Sequence, residues 1–325
     1  MSTGPILLVD DEPSNLAALH QVLSPTYRLV YARTAAEALA QAIQHQPLLI
    51  LLDIRLPDMD GYTVCRQLKA NPSTEAIPVI FVTALADIGD EAAGFDAGAV
   101  DYIIKPIMPA IVQARVRTHL SLVRATTLER SYRDAISMLG EAGHYNDTDT
   151  GDHIWRMAAY ARALAEACGW DAAACGLIEL ASPMHDMGKI GIPNAILRKP
   201  GPLTPEEWEV MKTHAQMGHD ILIRSPAPVF QMAAEIALCH HERWDGGGYP
   251  GGLVGEAIPT SARIVALADV FDALSMKRPY KAAWPLEQTM QMIQQGDPGH
   301  FDPNMVATFV SILPKILEIK AMWQS

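Results

Sequence analysis

The sequence predicts a two-domain chain: a five-stranded α/β doubly wound parallel sheet, then an all-α domain. Three observations carry that expectation. Short apolar runs alternate with helix-like segments over roughly the first 120 residues, the pattern of repeated βα units. Residues 109–142 then hold few strong helix breakers before Gly140. Beyond them, five histidines and two or three aspartates are spread through one largely helical region, where burial is costly unless polar groups are paired or metal-bound.

Taken in order, strands are expected at 6–9, 29–31, 48–52, 79–82 and 102–104, with helices at 16–23, 35–43, 62–68 and 91–97. Asp10 and Asp11 end the first strand, Asp53 the third, Thr83 the fourth and Lys105 the fifth, with Pro106 next. The working site of such a sheet lies at the carboxyl ends of its strands, near the switch point. Three carboxylates gathered there would repel one another unless a Mg²⁺-like cation held them. Any one of these residues alone reads as a turn or a cap.

The ordered set Asp10-Asp11, Asp53, Thr83, Lys105-Pro106 strongly resembles a response-regulator receiver domain, over residues 1–122. The resemblance implies that Asp53 is the phosphoacceptor and that Asp10, Asp11 and Asp53 hold Mg²⁺. It further implies that Lys105 pairs with the phosphoryl group, that Thr83 hydrogen-bonds it on activation, and that Tyr102 moves in concert. Lys105-Pro106 resembles the family's cis peptide. A cognate histidine kinase is the implied partner.

Residues 123–143 are expected to be a helical connector. Ile111, Val112, Arg115, Val116, Leu120, Val123, Leu128, Tyr132 and Ile136 form an imperfect helical stripe. Two readings stay open: a two-stranded coiled coil in a homodimer, or one helix packed on its own second domain. A rigid helical connector would transmit a change at Asp53 by re-pairing domains or rotating helices.

The second domain, residues 144–325, holds the most informative run: His240-His241-Glu242-Arg243-Trp244-Asp245-Gly246-Gly247-Gly248-Tyr249-Pro250. Adjacent side chains on a helix diverge by about 100°, so a His-His pair could address two neighbouring metal ions. Glycines let a backbone approach a ligand closely. Upstream, His185-Asp186 lies in the mostly apolar stretch 177–192, and His153 borders an apolar stripe of Ile154, Met157, Ala158, Ala161 and Leu164. His214 follows the cap signal Thr204-Pro205-Glu206-Glu207. Asp269 and Asp272 interrupt a segment that is apolar nearly all round, so at least one of them should be buried and matched by a cation or strong donors. Each has a bland alternative: His153 at a boundary, His214 facing solvent, Asp272 paired with Arg278. Together, nitrogen and carboxylate ligands without cysteine fit a multinuclear site of borderline or hard metals.

Residues 144–311 resemble the HD-GYP family of metal-dependent phosphohydrolases. The match includes His185-Asp186 with Gly188-Lys189, Pro200-Gly201-Pro202-Leu203-Thr204, the whole His240 to Pro250 run, Arg278-Pro279-Tyr280-Lys281 and Phe301-Asp302-Pro303. The family cleaves cyclic di-GMP to pGpG or on to GMP, and some members act on cyclic GMP-AMP. The resemblance implies metal ligands at His153, His185, Asp186, His214, His240, His241 and Asp269, with Asp186 bridging two ions of iron, manganese, nickel or zinc. A water of lowered pKa between the ions would be the nucleophile. Lys189, Arg278 and Lys281 would take up phosphate charge, with Asp272 also at the substrate. Tyr249 would either stack on a guanine or cap the core.

Two departures stand out. The glutamate four residues before the first histidine is Asp149 here, shorter by one methylene, so a two-metal site is the first expectation and a three-metal site the alternative. The usual Glu-Tyr-Arg-Asp reads His144-Tyr145-Asn146-Asp147.

Composition narrows the classes. The net charge of −12 disfavours nucleic-acid coating and anionic-membrane binding. Four cysteines without a CxxC pattern, and no signal peptide or apolar run of membrane length, point to a cytoplasmic protein. The leading expectation is a phosphorylation-controlled cyclic-dinucleotide phosphodiesterase. Its rivals are a binding-only adaptor for cyclic dinucleotide or a diguanylate cyclase, and another HD phosphohydrolase acting on nucleoside phosphates or guanosine tetraphosphate. DNA binding is weakest, because no helix-turn-helix pattern or basic patch follows the sheet.

Overall fold

The computed structural model describes residues 4–84, 91–144, 151–276, 283–296 and 299–323. It divides into two compact units, Met1–Ser131 and Tyr132–Ser325.

In the first unit, β1 (Ile6–Val9), α1 (Pro13–Leu23), β2 (Leu29–Ala32), α2 (Ala35–His45), β3 (Leu49–Asp53), α3 (Gly61–Ala70), β4 (Val79–Ala84), α4 (Glu91–Asp96) and β5 (Asp101–Lys105) alternate as expected. The strands lie in the order β2-β1-β3-β4-β5, all parallel. Neighbouring residues of a strand face opposite sides, and both sides are apolar. Leu7, Val9, Ile50, Leu52, Val79 and Phe81 pack with Ala38 of α2 and Val64 and Leu68 of α3. Ile6, Leu8, Leu49, Leu51, Ile80 and Val82 pack with Leu16 and Leu19 of α1 and with Val112 and Val116 of the next helix, α5 (Pro109–His144). Burial on both faces explains why these strands read as continuous apolar runs. Chain order reverses around β1, which pairs Val9 with Leu52 of β3. The carboxyl ends carrying Asp10 and Asp53 therefore meet at the switch point. α1 begins three residues before its expected start, at Pro13, a residue suited to the first helical turn.

α5 is one unbroken helix of 36 residues. The expected domain limits at 122 and 143 both fall within it, so the sheet's last helix and the connector are a single element. Ile136 on its later part is buried in the core of the second unit.

That unit is otherwise built from α6 (Gly151–Ala167), α7 (Ala172–Ala181), α8 (Asn194–Leu197), α9 (Pro205–Leu222), α10 (Pro228–Cys239), α11 (Thr260–Ser275), α12 (Leu286–Gln291), α13 (Pro303–Ser311) and α14 (Leu313–Met322). α11 is apolar nearly all round because it is central. Its Ile264, Val265, Leu267, Ala268 and Phe271 share a core with Met157, Tyr160 and Leu164 of α6, Ile178 of α7, Ile236 of α10 and Phe309 of α13. α9 starts with the capping box predicted from Thr204 and Glu207, both reciprocal hydrogen bonds being present. Among the described residues, no helix is long and apolar enough to cross a membrane.

Candidate active site

Asp186 organises the second unit. It follows the turn Ser182–Met184 and His185, and immediately precedes a 3₁₀ turn, Met187–Gly191. One carboxylate oxygen, Oδ1, lies 3.4 Å from His214 Nε2 and 3.7 Å from His240 Nε2. The other, Oδ2, lies 2.7 Å from Lys189 Nζ, 3.1 Å from His185 Nε2 and 3.7 Å from His144 Nε2. Two groups of ligand-type atoms result, each within 4.8 Å of one another: Asp186 with His214, His240 and His241, and Asp186 with His144 and His185. Asp186 belongs to both.

Local sequence dictates this convergence. A Cβ on Gly188 would lie 1.9 Å from the His214 carbonyl oxygen, so only glycine lets α9 press His214 against the His-Asp turn. α10 ends at Cys239, which leaves His240 as the cap and His241 beyond the helix. The expected divergence of the His-His pair therefore does not occur. The two rings lie 3.9 Å apart between centroids, and both side chains join the same group of ligands.

The histidines are oriented from behind. Nδ1 of His185 lies 2.9 Å from the Ser182 carbonyl, Nδ1 of His214 2.7 Å from that of Met211, and Nδ1 of His240 3.1 Å from those of Ile236 and Ala237. A carbonyl only accepts, so each Nδ1 carries the proton and each Nε2 presents its lone pair. Backbone carbonyls fix metal-binding histidines in the same way. Nε2 of His214, Nε2 of His240 and Oδ1 of Asp186 are buried without a hydrogen-bond partner. Such orphaned acceptors are costly alone, and nitrogen and carboxylate donors facing a common space fit divalent metal ions. The electrostatics agree. Burial pushes His214 down to about 4. Burial, reinforced by His240 and His214, holds His241 well below the usual imidazole range. Burial alone would raise Asp186, but neighbouring positive charge, Lys189 foremost, outweighs it and holds the carboxylate well below its ordinary value.

α6 and α11 meet through paired residues at three-residue spacing, His153 and Arg156 against Asp269 and Asp272. His153 Nε2 is 3.4 Å from Asp269 Oδ1, and its Nδ1 is 2.5 Å from Asp272 Oδ2. Arg156 reaches both oxygens of Asp272, at 2.5 and 2.7 Å. Burial opposes charging of His153, yet Asp269 and Asp272 raise it to about 10, so its Nε2 proton would have to leave before that nitrogen could hold an ion, while Nδ1–H stays on Asp272. The expectation that Asp272 meets substrate fails. Asp272 is 1% exposed and its oxygens are taken by Arg156 and His153, so it orients His153 from behind. The alternative pairing of Asp272 with Arg278 falls partly outside the described residues, and the observed cation is Arg156.

The glycine-rich run forms a wall beside these ligands. Buried Glu242 accepts hydrogen bonds from Gly251 N at 2.6 Å and Leu253 N at 2.9 Å, which pins the turn. A Cβ on Gly248 would lie 2.4 Å from Arg243 N, so the chain can fold back onto 241–243 only with glycine there. Tyr249 consequently stacks on His241 at 4.7 Å, with Trp208 edge-on at 6.2 Å. A cleft of about 370 Å³ opens here, lined by Trp208, Lys212, His241, Arg243, Tyr249 and His300. The Tyr249-Pro250 peptide is cis.

In the first unit, Asp10, Asp11 and Asp53 form a third group of ligand-type atoms. Lys105 Nζ lies 2.8 Å from Asp10 Oδ2 and 2.7 Å from Asp53 Oδ2. Burial raises the Asp53 pKa most, Lys105 opposes that, and Asp10 adds to it. Thr83 is buried at the end of β4, and the Lys105-Pro106 peptide is cis. Tyr102 lies edge-on to Phe95 at 6.4 Å and under Arg115 at 5.6 Å.

Asp149, Arg278 and Lys281 lie outside the described residues. Sequence reasoning missed His144, Arg156 and Glu242. Arg156 could have been found from its spacing to His153, which mirrors that of Asp272 to Asp269. Glu242 lies within the His240 to Pro250 run, but nothing in its spacing marks it as buried.

Strand-end carboxylates with a fixed lysine, joined in one chain to histidines converging on a shared aspartate, define a receiver coupled to an HD-type metal-dependent phosphohydrolase. The comparisons agree. The response regulator receiver domain family matches residues 6–117, and the HD domain family matches residues 124–305. The chain is 39% identical to a Vibrio cholerae protein named "Probable cyclic di-GMP phosphodiesterase", over 95% of this chain and 78% of that one. It is 39% identical to the cyclic di-GMP phosphodiesterase response regulator RpfG of Xanthomonas campestris pv. campestris, over 93% and 85%. A cyclic di-GMP phosphodiesterase of Thermotoga maritima is 35% identical, over 97% and 92%. The chain belongs to the family of receiver-linked HD-domain response regulators.

Proposed function

We propose that the chain is a two-component response regulator in which phosphorylation of Asp53 by a cognate histidine kinase controls metal-dependent hydrolysis of cyclic di-GMP to pGpG, GMP or both. The observation that carries this reading is the pair of ligand groups sharing Asp186 beside an open cleft. His185, Asp186, His214, His240 and His241, with His153 and Asp269 adjoining, would hold two divalent ions of iron, manganese, nickel or zinc. Bound there, the ions supply Lewis acidity, acidifying water and neutralising phosphate charge. Asp272 and Arg156 hold His153 in place, and backbone carbonyls fix His185, His214 and His240. Lys189, at 2.7 Å from Asp186, positions that carboxylate and sets a positive charge where phosphate charge develops. Trp208 and Tyr249 offer ring faces to a guanine. In the receiver, Asp10 and Asp11 would hold Mg²⁺ with Asp53, Lys105 would secure the phosphoryl group, and Thr83 with Tyr102 would report it. Arg278, Lys281 and Asp149 keep the substrate and third-metal roles that the resemblance gives them. The chain is assigned to the cytoplasm, working as a homodimer with diguanylate cyclase domains as further partners.

The test is hydrolysis of cyclic di-GMP by the purified chain, apo and reloaded with Mn²⁺, Fe²⁺ or Ni²⁺, with metal content measured on the same sample. Metal-dependent release of pGpG or GMP is expected, with cyclic GMP-AMP run in parallel as the competing substrate. A protein holding metal but releasing no product from either dinucleotide would overturn the reading in favour of a binding-only adaptor.

A further inference from the structure

His144, the last residue of α5, belongs to none of the ligand positions that the family resemblance supplies, yet it is placed like one. Its side chain is buried, at 5% exposure. Its Nδ1 lies 3.0 Å from the carbonyl of Gly140, one helical turn back. That carbonyl can only accept, so Nδ1 carries the proton and Nε2 keeps its lone pair. Nε2 is buried, has no hydrogen-bond partner, and lies 3.7 Å from Asp186 Oδ2. His185, His214 and His240 repeat the same arrangement around the same carboxylate: Nδ1 on a backbone carbonyl three or four residues earlier, Nε2 turned to Asp186. His144 completes a set of four.

The approach of α5 is built for this contact. A Cβ on Gly140 would lie 2.8 Å from Pro183 Cβ, and one on Gly143 would lie 3.1 Å from Met187 Cα. Two glycines on one face of the helix end thus let it sit directly on the segment that carries His185 and Asp186. The His144 and His185 rings are 5.1 Å apart. The separation of 3.7 Å between Nε2 and Oδ2 is below twice a metal–ligand bond of about 2.1 Å, so one ion can reach both atoms.

We propose that His144 is a metal ligand, binding with His185 and Asp186 Oδ2 the ion on that face of the carboxylate. The proposal rests on the metal-dependent reading above. It makes this half of the centre richer in imidazole than the resemblance alone implies, which favours zinc, iron or nickel over manganese. It also makes the end of the connector helix part of the metal centre.

The experiment replaces His144 by Ala and, separately, by Gln, whose amide can still donate to Gly140, in the full chain. Metal content, Co²⁺ titration by visible absorption, and thermal unfolding of the metal-free protein are measured. Affinity for one of the ions should fall tenfold or more in both variants, with loss of its share of the Co²⁺ absorption. The second ion, held by His214, His240 and His241, should stay. His185→Ala should remove the same ion. Metal-free unfolding of His144→Gln close to wild type would separate ligand loss from misfolding. Wild-type stoichiometry and an unchanged Co²⁺ spectrum in a folded His144→Gln protein would overturn the proposal alone. Absence of bound metal from the wild type would overturn it together with the functional reading.

Discussion

The two sites of this chain gather charge in opposite ways. In the receiver, carboxylates stand at the ends of neighbouring parallel strands, and strand register alone brings Asp10 beside Asp53. A cation, Lys105, is already built in between them. In the helical unit, imidazoles come from the ends or faces of four helices and a turn, and no register relates them. They converge because glycines remove the Cβ atoms that would keep the backbones apart, and because backbone carbonyls fix His144, His185, His214 and His240 while Asp272 fixes His153. The first site therefore depends on a sheet that would form without it. The second depends on close contacts that are themselves part of the site.

The largest effect expected from that contrast follows Asp186→Ala. Both ligand groups lose their common member, so metal content and turnover should fall to background together. Asp53→Asn should abolish phosphorylation and leave the metal content of the helical unit untouched. An Asp53→Asn protein whose helical unit lost its metal would show that the sites are not built independently, and normal turnover by Asp186→Ala would sink the metal-dependent reading.

Asp272→Ala comes next. The substitution removes the carboxylate that Arg156 and His153 share, and breaking a buried pair of this kind costs about 3–5 kcal/mol. Denaturant unfolding should show the loss in the helical unit, while phosphorylation of the receiver by a small-molecule phosphodonor proceeds normally. A small loss, below about 1 kcal/mol, would mean that Arg156 finds another partner or water.

Gly188→Ala probes close contact directly. The added methyl would overlap the His214 carbonyl, and overpacking of this kind costs about 1–3 kcal/mol or more. Metal affinity should fall as α9 is pushed away. Gly61→Ala offers the receiver counterpart, because a Cβ there would lie 2.4 Å from the Asp53 carbonyl oxygen. It should lower receiver stability and leave metal binding intact. Equal effects of the two substitutions on metal binding would erase the distinction between the sites.

How legible each site was follows from the same physics. Asp10, Asp53, Thr83 and Lys105 could be read because strand ends are marked by where an apolar run stops, and their order in sequence is their order in the sheet. The ligands around Asp186 were legible as a motif, but their geometry was not. A helical period predicted that His240 and His241 would diverge, and the helix stopping at Cys239 overrode it. Asp272 was recognisable as a buried carboxylate, since α11 has no polar face, but sequence could not say which cation it meets. Arg156, 116 residues away, supplied the answer. His144 was hidden for a different reason. It ends a helix whose stripe reads as a connector, and only the fit of Gly140 and Gly143 against Pro183 and Met187 brings it to the centre.

The smallest expected effect concerns a feature of the helical unit that was fully legible. Thr204 caps α9, its side chain accepting from Glu207 N while Glu207 answers to Thr204 N. Removing the cap with Thr204→Ala should cost about 1 kcal/mol. His214 lies on the same helix, but more than two turns further on, where Gly188 and the Met211 carbonyl hold it. The cap is therefore expected to affect stability without affecting the ligand. Thermal unfolding should shift down by a few degrees while metal stoichiometry and Co²⁺ absorption stay at wild-type values. If the cap variant lost metal in proportion to its stability, His214 would be held by the helix as a whole. Contact with the His-Asp turn would then be a consequence of helix formation, and the contrast with the receiver would narrow to one of degree.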